Sequence, residues 1–298
     1  MSPVHRLPAR AAEASDREAV QAPAEGRVLE GRRPLDLSIG NTADVRHRFA
    51  YLDHPGPIPF AHRGGAGDAP ENTLPAFQLA IDLGYRYLET DVQLTADDVL
   101  VAFHDNDLLR TTGRPGRISD LPWDQVRSAL VDGKEPIPLL EDLLGAFPAA
   151  RLNIDCKSDR AVDALAATLR RTQSLDRVCL GAFSSTRLRR LRRSLGPRVC
   201  TSLGPSEAAR WLLSTRIGGL AGMPAVPCAQ VPVSFNGLPV VTARTVDRAH
   251  RAGMAVHVWT IDEPAEMRRL IALGVDGIMT DRPAVLKQVL TELALWHQ

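Results

Sequence analysis

From Pro59 onward the chain alternates short apolar runs with longer stretches of helical period, the pattern of strand-then-helix units around a parallel sheet. The apolar runs predict strands over 58–62, 86–92, 151–157, 177–183, 198–203, 227–231, 255–261 and 276–280. Between them the period predicts helices over 71–83, 139–147, 160–172, 186–195, 206–215, 243–252, 263–273 and 283–295. Pro138, Pro205, Pro264 and Pro283 stand at or near helix starts, where a missing N–H costs nothing. Gly84, Gly196, Gly253 and Gly274 follow helices, where a left-handed cap favours glycine. Eight such units predict an α/β fold of the (β/α)8 TIM-barrel kind. A doubly wound open sheet is the rival, but its GxGxxG turn after the first strand is missing.

Two regions break the alternation. The stretch 93–137 is too long for one connection and carries an extra apolar run (VLVAFH) followed by a polar segment punctuated by Gly and Pro. We read it as an insertion after the second strand, about residues 104–135, standing over the C-terminal mouth of the barrel. Residues 1–49 are rich in Ala, Arg, Glu and Pro with no sustained apolar period, and are expected to form a poorly ordered extension to a barrel domain at 50–298.

Composition narrows the partners. A net charge of +1 gives no reason to expect nucleic acid or a strongly anionic surface. The arginine run at 187–198 has Leu188, Leu191 and Leu195 at helical spacing, so its arginines form the solvated face of a surface helix. No apolar stretch is long enough to span a membrane, and the N-terminus lacks a secretory apolar core, which predicts a cytoplasmic protein. Cys156, Cys179, Cys200 and Cys228 form no CxxC pair and read as buried small hydrophobes rather than a zinc site or disulfide framework. Only three of the 36 basic residues are lysines, which draws attention to Lys157 on a predicted strand.

The candidate chemistry gathers at strand ends. Side chains alternate across a strand, so Glu89 and Asp91 share one face, as do Asn153, Asp155 and Lys157. Glu89, Asp91 and Asp155 make an all-oxygen set suited to Mg²⁺ or Ca²⁺. Solvated strand-end charge is the commoner meaning of ExD alone, but the nearby histidines reverse that balance. His62 and His104 are the acid–base candidates, because imidazole is the side chain whose unperturbed titration falls near neutrality and a pair can divide proton removal from proton donation. Arg63 could fork onto phosphate oxygens if the strand ends at His62, which Gly64-Gly65 favours. Lys157 supplies a point charge or an ion pair with Asp155. Glu71 and Asn72 stand at the start of the first predicted helix, where capping explains them as well as ligand contact does. His257 faces the same way as Trp259 and reads as core or a supporting residue.

AHRG followed by PENT, then ETDVQLTADDVLVAFHD, LNIDCK, VHVWTID and GVDGIMTDRP resembles the glycerophosphodiester phosphodiesterase family from about Phe60 to Pro283. The resemblance implies a metal-dependent (β/α)8 barrel that hydrolyses glycerophosphodiesters to an alcohol and glycerol 3-phosphate. It implies His62 and His104 as the catalytic pair, and Glu89, Asp91 and Asp155 as ligands of one divalent cation. Arg63 and Lys157 would contact phosphate, and Trp259 would line the glycerol end. Apart from the resemblance, Glu71, Asn72 and Asp105 are candidates to support the site from behind. The chain departs from the family at Asp155, where Glu is usual, and at Asp262, where Asn is common. On this reading His62 is the base and His104 the acid. Lysophospholipase D-type cleavage of lipid substrates and a catalytically silent phosphodiester-binding barrel are the alternatives. The oligomeric state is not legible in the sequence.

Overall fold

The structure, a computed structural model, describes residues 49–217 and 226–297. The expected N-terminal extension lies outside the described residues except for Phe49. All eight predicted strands form. They are numbered here β1 (Ile58–Ala61), β2 (Tyr87–Leu94), β3 (Arg151–Cys156), β4 (Val178–Gly181), β5 (Cys200–Thr201), β6 (Cys228–Pro232), β7 (Ala255–Trp259) and β8 (Gly277–Thr280). They pair in parallel, in the order β5-β4-β3-β2-β1-β8-β7-β6. Among the described residues a single parallel bridge, Ser202 to Cys228, joins the two ends of that order and all but closes the barrel.

The eight helices that follow the strands lie where the period placed them, within a few residues at each end. Helix Leu74–Asp82 begins later than predicted because Thr73, not Glu71 or Asn72, is its cap and accepts from the Ala76 amide. Outward side chains such as Leu88, Leu152, Ile154 and Leu180 are fully buried against those helices. This double burial is why the strands read as near-continuous apolar runs. In the surface helix Ser185–Leu195, the three leucines are buried while Arg187, Arg190 and Arg192 pair with Asp159, Asp163 and Glu207.

β2 runs two residues beyond its predicted end. An antiparallel strand, Leu100–Ala102, pairs with Val92–Leu94 and satisfies the backbone there. The insertion this strand opens is more than a polar flap. Val101, Phe103, Leu108, Ile118, Val126 and Val131 make a small core of their own. At the barrel's opposite, N-terminal end, residues 49–52 pack as a floor. Tyr87 donates to the Tyr51 carbonyl at 2.8 Å, and the two rings meet edge to face. Among the described residues, no helix is long and apolar enough to cross a membrane.

Candidate active site

β1 stops at Ala61, and His62–Gly64 makes one tight turn in which Arg63 adopts a left-handed φ of 50°. That turn removes the strand constraint separating neighbouring side chains, so His62 and Arg63 both reach the mouth. Gly64 is needed there: a Cβ on it would lie 2.8 Å from the Ala76 Cβ. The Arg63 amide donates to Glu89 at 3.1 Å, its guanidinium donates to Glu71 at 3.0 Å, and its Nε lies 3.2 Å from Asp91.

Strand parity places the acidic residues as expected. Glu89, Asp91 and Asp155 are buried at the mouth end of the barrel interior, and Asp91 and Asp155 are register partners on adjacent strands. Lys157 follows β3, and its ammonium spans Asp91 at 2.8 Å and Asp155 at 2.7 Å. Burial opposes ionisation of Asp91, yet Lys157 and Arg63 hold its carboxyl below the ordinary value. Burial and the Asp91 charge push Glu89 up to about 7. Asp155 is also raised by burial, and its Oδ1 is buried without a hydrogen-bond partner. Asn72, itself buried, donates to Asp91 at 3.2 Å and accepts from Thr90, so it orients that carboxylate.

Each histidine is fixed by a carboxylate on its Nδ1. His62 lies 2.6 Å from Asp281, just past β8, with its Nε2 3.7 Å from Glu89. His104 lies 2.5 Å from Asp105. Burial would lower the His62 pKa, but Glu89 and the Asp281 hydrogen bond together raise it above the ordinary imidazole value. With Nδ1–H donated to carboxylate, Nε2 of each ring is the nitrogen left for chemistry.

The two halves are tied together by Arg110 of the insertion. It binds Glu71 bidentately at 2.7 and 2.8 Å and donates to Asp105 at 2.5 Å. Glu71 therefore bridges Arg63 to Arg110, an ion-pair role in place of the capping one. On the far rim Trp259 meets Phe183 edge to face at 5.8 Å, and Lys157 stands 5.6 Å over the Phe183 ring. Asp262 accepts through Oδ1 from Thr280 and from the Asp281 amide, both at 2.8 Å, thereby placing Asp281. His257 is fully buried inside the barrel, 3.5 Å from Gln230.

All the predicted site residues thus lie at the mouth. Asp281, Arg110 and Phe183 were missed. Asp281 carried the signal that marked the others, an acidic residue directly after an apolar strand. Arg110 lies on a one-turn helix, Leu109–Thr112, too short for a period to assign a direction, and Phe183 lies beyond the point where β4 ends, short of the strand predicted to residue 183.

The Glycerophosphoryl diester phosphodiesterase family model matches residues 62–285. The chain is 41% identical over 251 residues to "Probable glycerophosphodiester phosphodiesterase 2" of Mycobacterium tuberculosis, covering 83% of this chain and 95% of the relative. A crystal structure from Silicibacter pomeroyi, described as a "Putative glycerophosphoryl diester phosphodiesterase", superposes with a TM-score of 0.71 at 26% identity, covering 84% of this chain and 100% of the other. An Oleispira antarctica phosphodiesterase, solved with the product sn-glycerol-3-phosphate, matches the fold with a TM-score of 0.67 at 24% identity, over 79% and 97% of the two chains. With its nearly closed parallel barrel and a family match running from His62, directly after β1, to beyond β8, the chain belongs to the glycerophosphoryl diester phosphodiesterase family.

Proposed function

We propose that the mouth hydrolyses glycerophosphodiesters to an alcohol and glycerol 3-phosphate by acid–base catalysis between His62 and His104, with one divalent cation. The observation that carries this reading is the pair of imidazoles, each locked through Nδ1 to its own carboxylate, flanking one network of buried acids and cations. His62, its pKa raised by Glu89 and Asp281, removes the proton from the attacking hydroxyl, whether water or the neighbouring glycerol hydroxyl. His104, the more exposed ring, protonates the departing alkoxide. Arg63 and Lys157 offset charge gathering on the phosphoryl oxygens.

Glu89, Asp91 and Asp155 would hold the cation. The donor set is all oxygen, the buried Oδ1 of Asp155 has no hydrogen-bond partner, and Glu89 and Asp155 are both pushed toward protonation that a hard cation would relieve. When bound, Mg²⁺ or Ca²⁺ supplies Lewis-acid polarisation of the phosphoryl oxygens. The product seen in the Oleispira antarctica enzyme supports glycerol 3-phosphate as the product here.

A second reading, cleavage of lysophospholipids, draws on exposed apolar side chains in the segments that follow the barrel strands, on the helix Leu109–Thr112, beside β4 and on the short hairpin of Ser234–Phe235 with Leu238–Pro239. Leu109 is 57% exposed, Phe183 70%, Phe235 64% and Leu238 60%. The test is hydrolysis of glycerophosphocholine followed by ³¹P NMR, with lysophosphatidylcholine in parallel. Glycerol 3-phosphate should appear, vanish on chelation with EDTA, and return with Mg²⁺ or Ca²⁺. Phosphocholine as the product, or indifference to EDTA, would overturn the proposal. Faster turnover of the lysolipid would select the second reading.

A further inference from the structure

The floor of the barrel holds a second cluster of reactive side chains that the phosphodiesterase chemistry does not use. In a TIM barrel the interior layers are filled mainly by bulky branched residues. Here three successive strands each contribute a cysteine to one layer. Cys179 of β4 and Cys200 of β5 are register partners, and Cys228 of β6 follows across the closing bridge of the barrel. Their sulfurs all lie within 4.8 Å of one another, with 3.7 Å between Cys179 and Cys228. All three are free thiols and fully buried. Their separation in sequence concealed this. They are buried as expected, yet they form the metal-ligand-like group that their spacing argued against.

Two further observations concern the space around them. The Tyr51 hydroxyl, buried in the same apolar cluster as the thiols, has no hydrogen-bond partner. A small cavity of about 100 Å³ runs from the exposed Asp176–Arg198 ion pair past Tyr51 and Val178 to Cys200, giving the buried group an approach from below. The group is separate from the active site. Between them Gln230 donates to Asn153 at 2.7 Å, and Asp155 lies two residues further up β3.

We propose that Cys179, Cys200 and Cys228 form a three-sulfur site for Cu(I). Three soft donors, grouped with no carboxylate among the described residues and touched by the Gln230 amide 3.9 Å from Cys179 Sγ, select against Mg²⁺, Ca²⁺ and other hard cations. Structural zinc takes four ligands, whereas only three donors converge among the described residues. Cu(I) is thiophilic and content with three. Binding releases a proton from each thiol that ligates as thiolate and involves no change of oxidation state. The site is independent of the proposed phosphodiesterase mechanism.

The test uses the full chain, reduced and metal-free, titrated anaerobically with Cu(I) against the chelator bicinchoninate. Wild type should bind one Cu(I) per chain. Cys200→Ala should weaken it more than about 100-fold, exceeding the roughly 10–100-fold that outer-shell groups cost. Cys156→Ala should leave it unchanged, since Cys156 lies on the outer face of β3. X-ray absorption on the wild-type complex, which needs no variant to fold, should show sulfur ligands alone. The proposal is overturned if folded, reduced protein binds no Cu(I), if Cys200→Ala binds as tightly as wild type, if nitrogen or oxygen ligands dominate, or if Zn²⁺ displaces Cu(I).

Discussion

The two ends of the barrel are built on the same strands and obey opposite rules. On β2, Tyr87 points into the floor while Glu89 and Asp91, two and four residues later, point into the mouth. The floor is closed by apolar and aromatic contact. Phe60 and Tyr51 both meet Tyr87 edge to face, at 5.3 and 5.4 Å. The mouth buries charge instead, and keeps it there by pairing every acid with a cation, an imidazole or an amide donor. Parity alone decides that a residue faces the interior; distance along the strand decides whether it meets rings or ions. The comparison teaches that stability and reactivity are separated by height in the barrel, so substitutions at the two ends should fail in different ways.

The largest effect should come at the mouth. His62→Ala or His104→Ala should lower kcat by roughly 10²–10⁴-fold, the usual worth of general acid–base catalysis. Neither ring is a core residue, so the melting temperature should stay near that of wild type, as a thermal scan beside the steady-state kinetics would show. At the floor, Phe60→Ala should cost about 3–5 kcal/mol of stability by leaving a cavity. Denaturant titration reads that loss, and the folded fraction should keep its kcat within a few-fold. A Phe60 variant that is fully stable but inactive would break the separation by height.

Arg110→Ala sharpens the comparison within the mouth. It removes the guanidinium shared by Glu71 and Asp105, and His104 then loses the support behind its carboxylate. A fall of about tenfold in kcat is expected, at the low end for supporting groups because Arg110 is half exposed. Asp281→Asn should have the smallest effect, a displacement of the pH profile. The Asp281 hydrogen bond helps raise the His62 pKa, and a base must be neutral to act. Activity therefore falls as pH drops through that raised value. The acid limb of kcat/KM should move to lower pH in the Asn variant; a shift upward would contradict the role given to His62.

Most of this arrangement was legible in the sequence because it follows from periodicity. Period two put Glu89 with Asp91 and Asp155 with Lys157 on interior faces, and helical period placed the helices that hold the strands. What was not legible depends on contacts between distant segments. The core of the insertion is stitched from scattered single residues such as Phe103, Ile118 and Val131. Glu71 reads as a cap until Arg63 and Arg110 are seen on either side of it. The convergence of Cys179, Cys200 and Cys228 follows from strand register, which no single strand reveals.

The division of labour between the two histidines is the centre of the account, and leaving-group dependence tests it directly. An alcohol such as choline needs a proton to depart; p-nitrophenolate does not. On a p-nitrophenyl phosphodiester, His104→Ala should recover to within about tenfold of wild type, while His62→Ala stays depressed by roughly 10²-fold or more. Equal losses for both variants on both substrates, or rescue of His62→Ala instead, would contradict it.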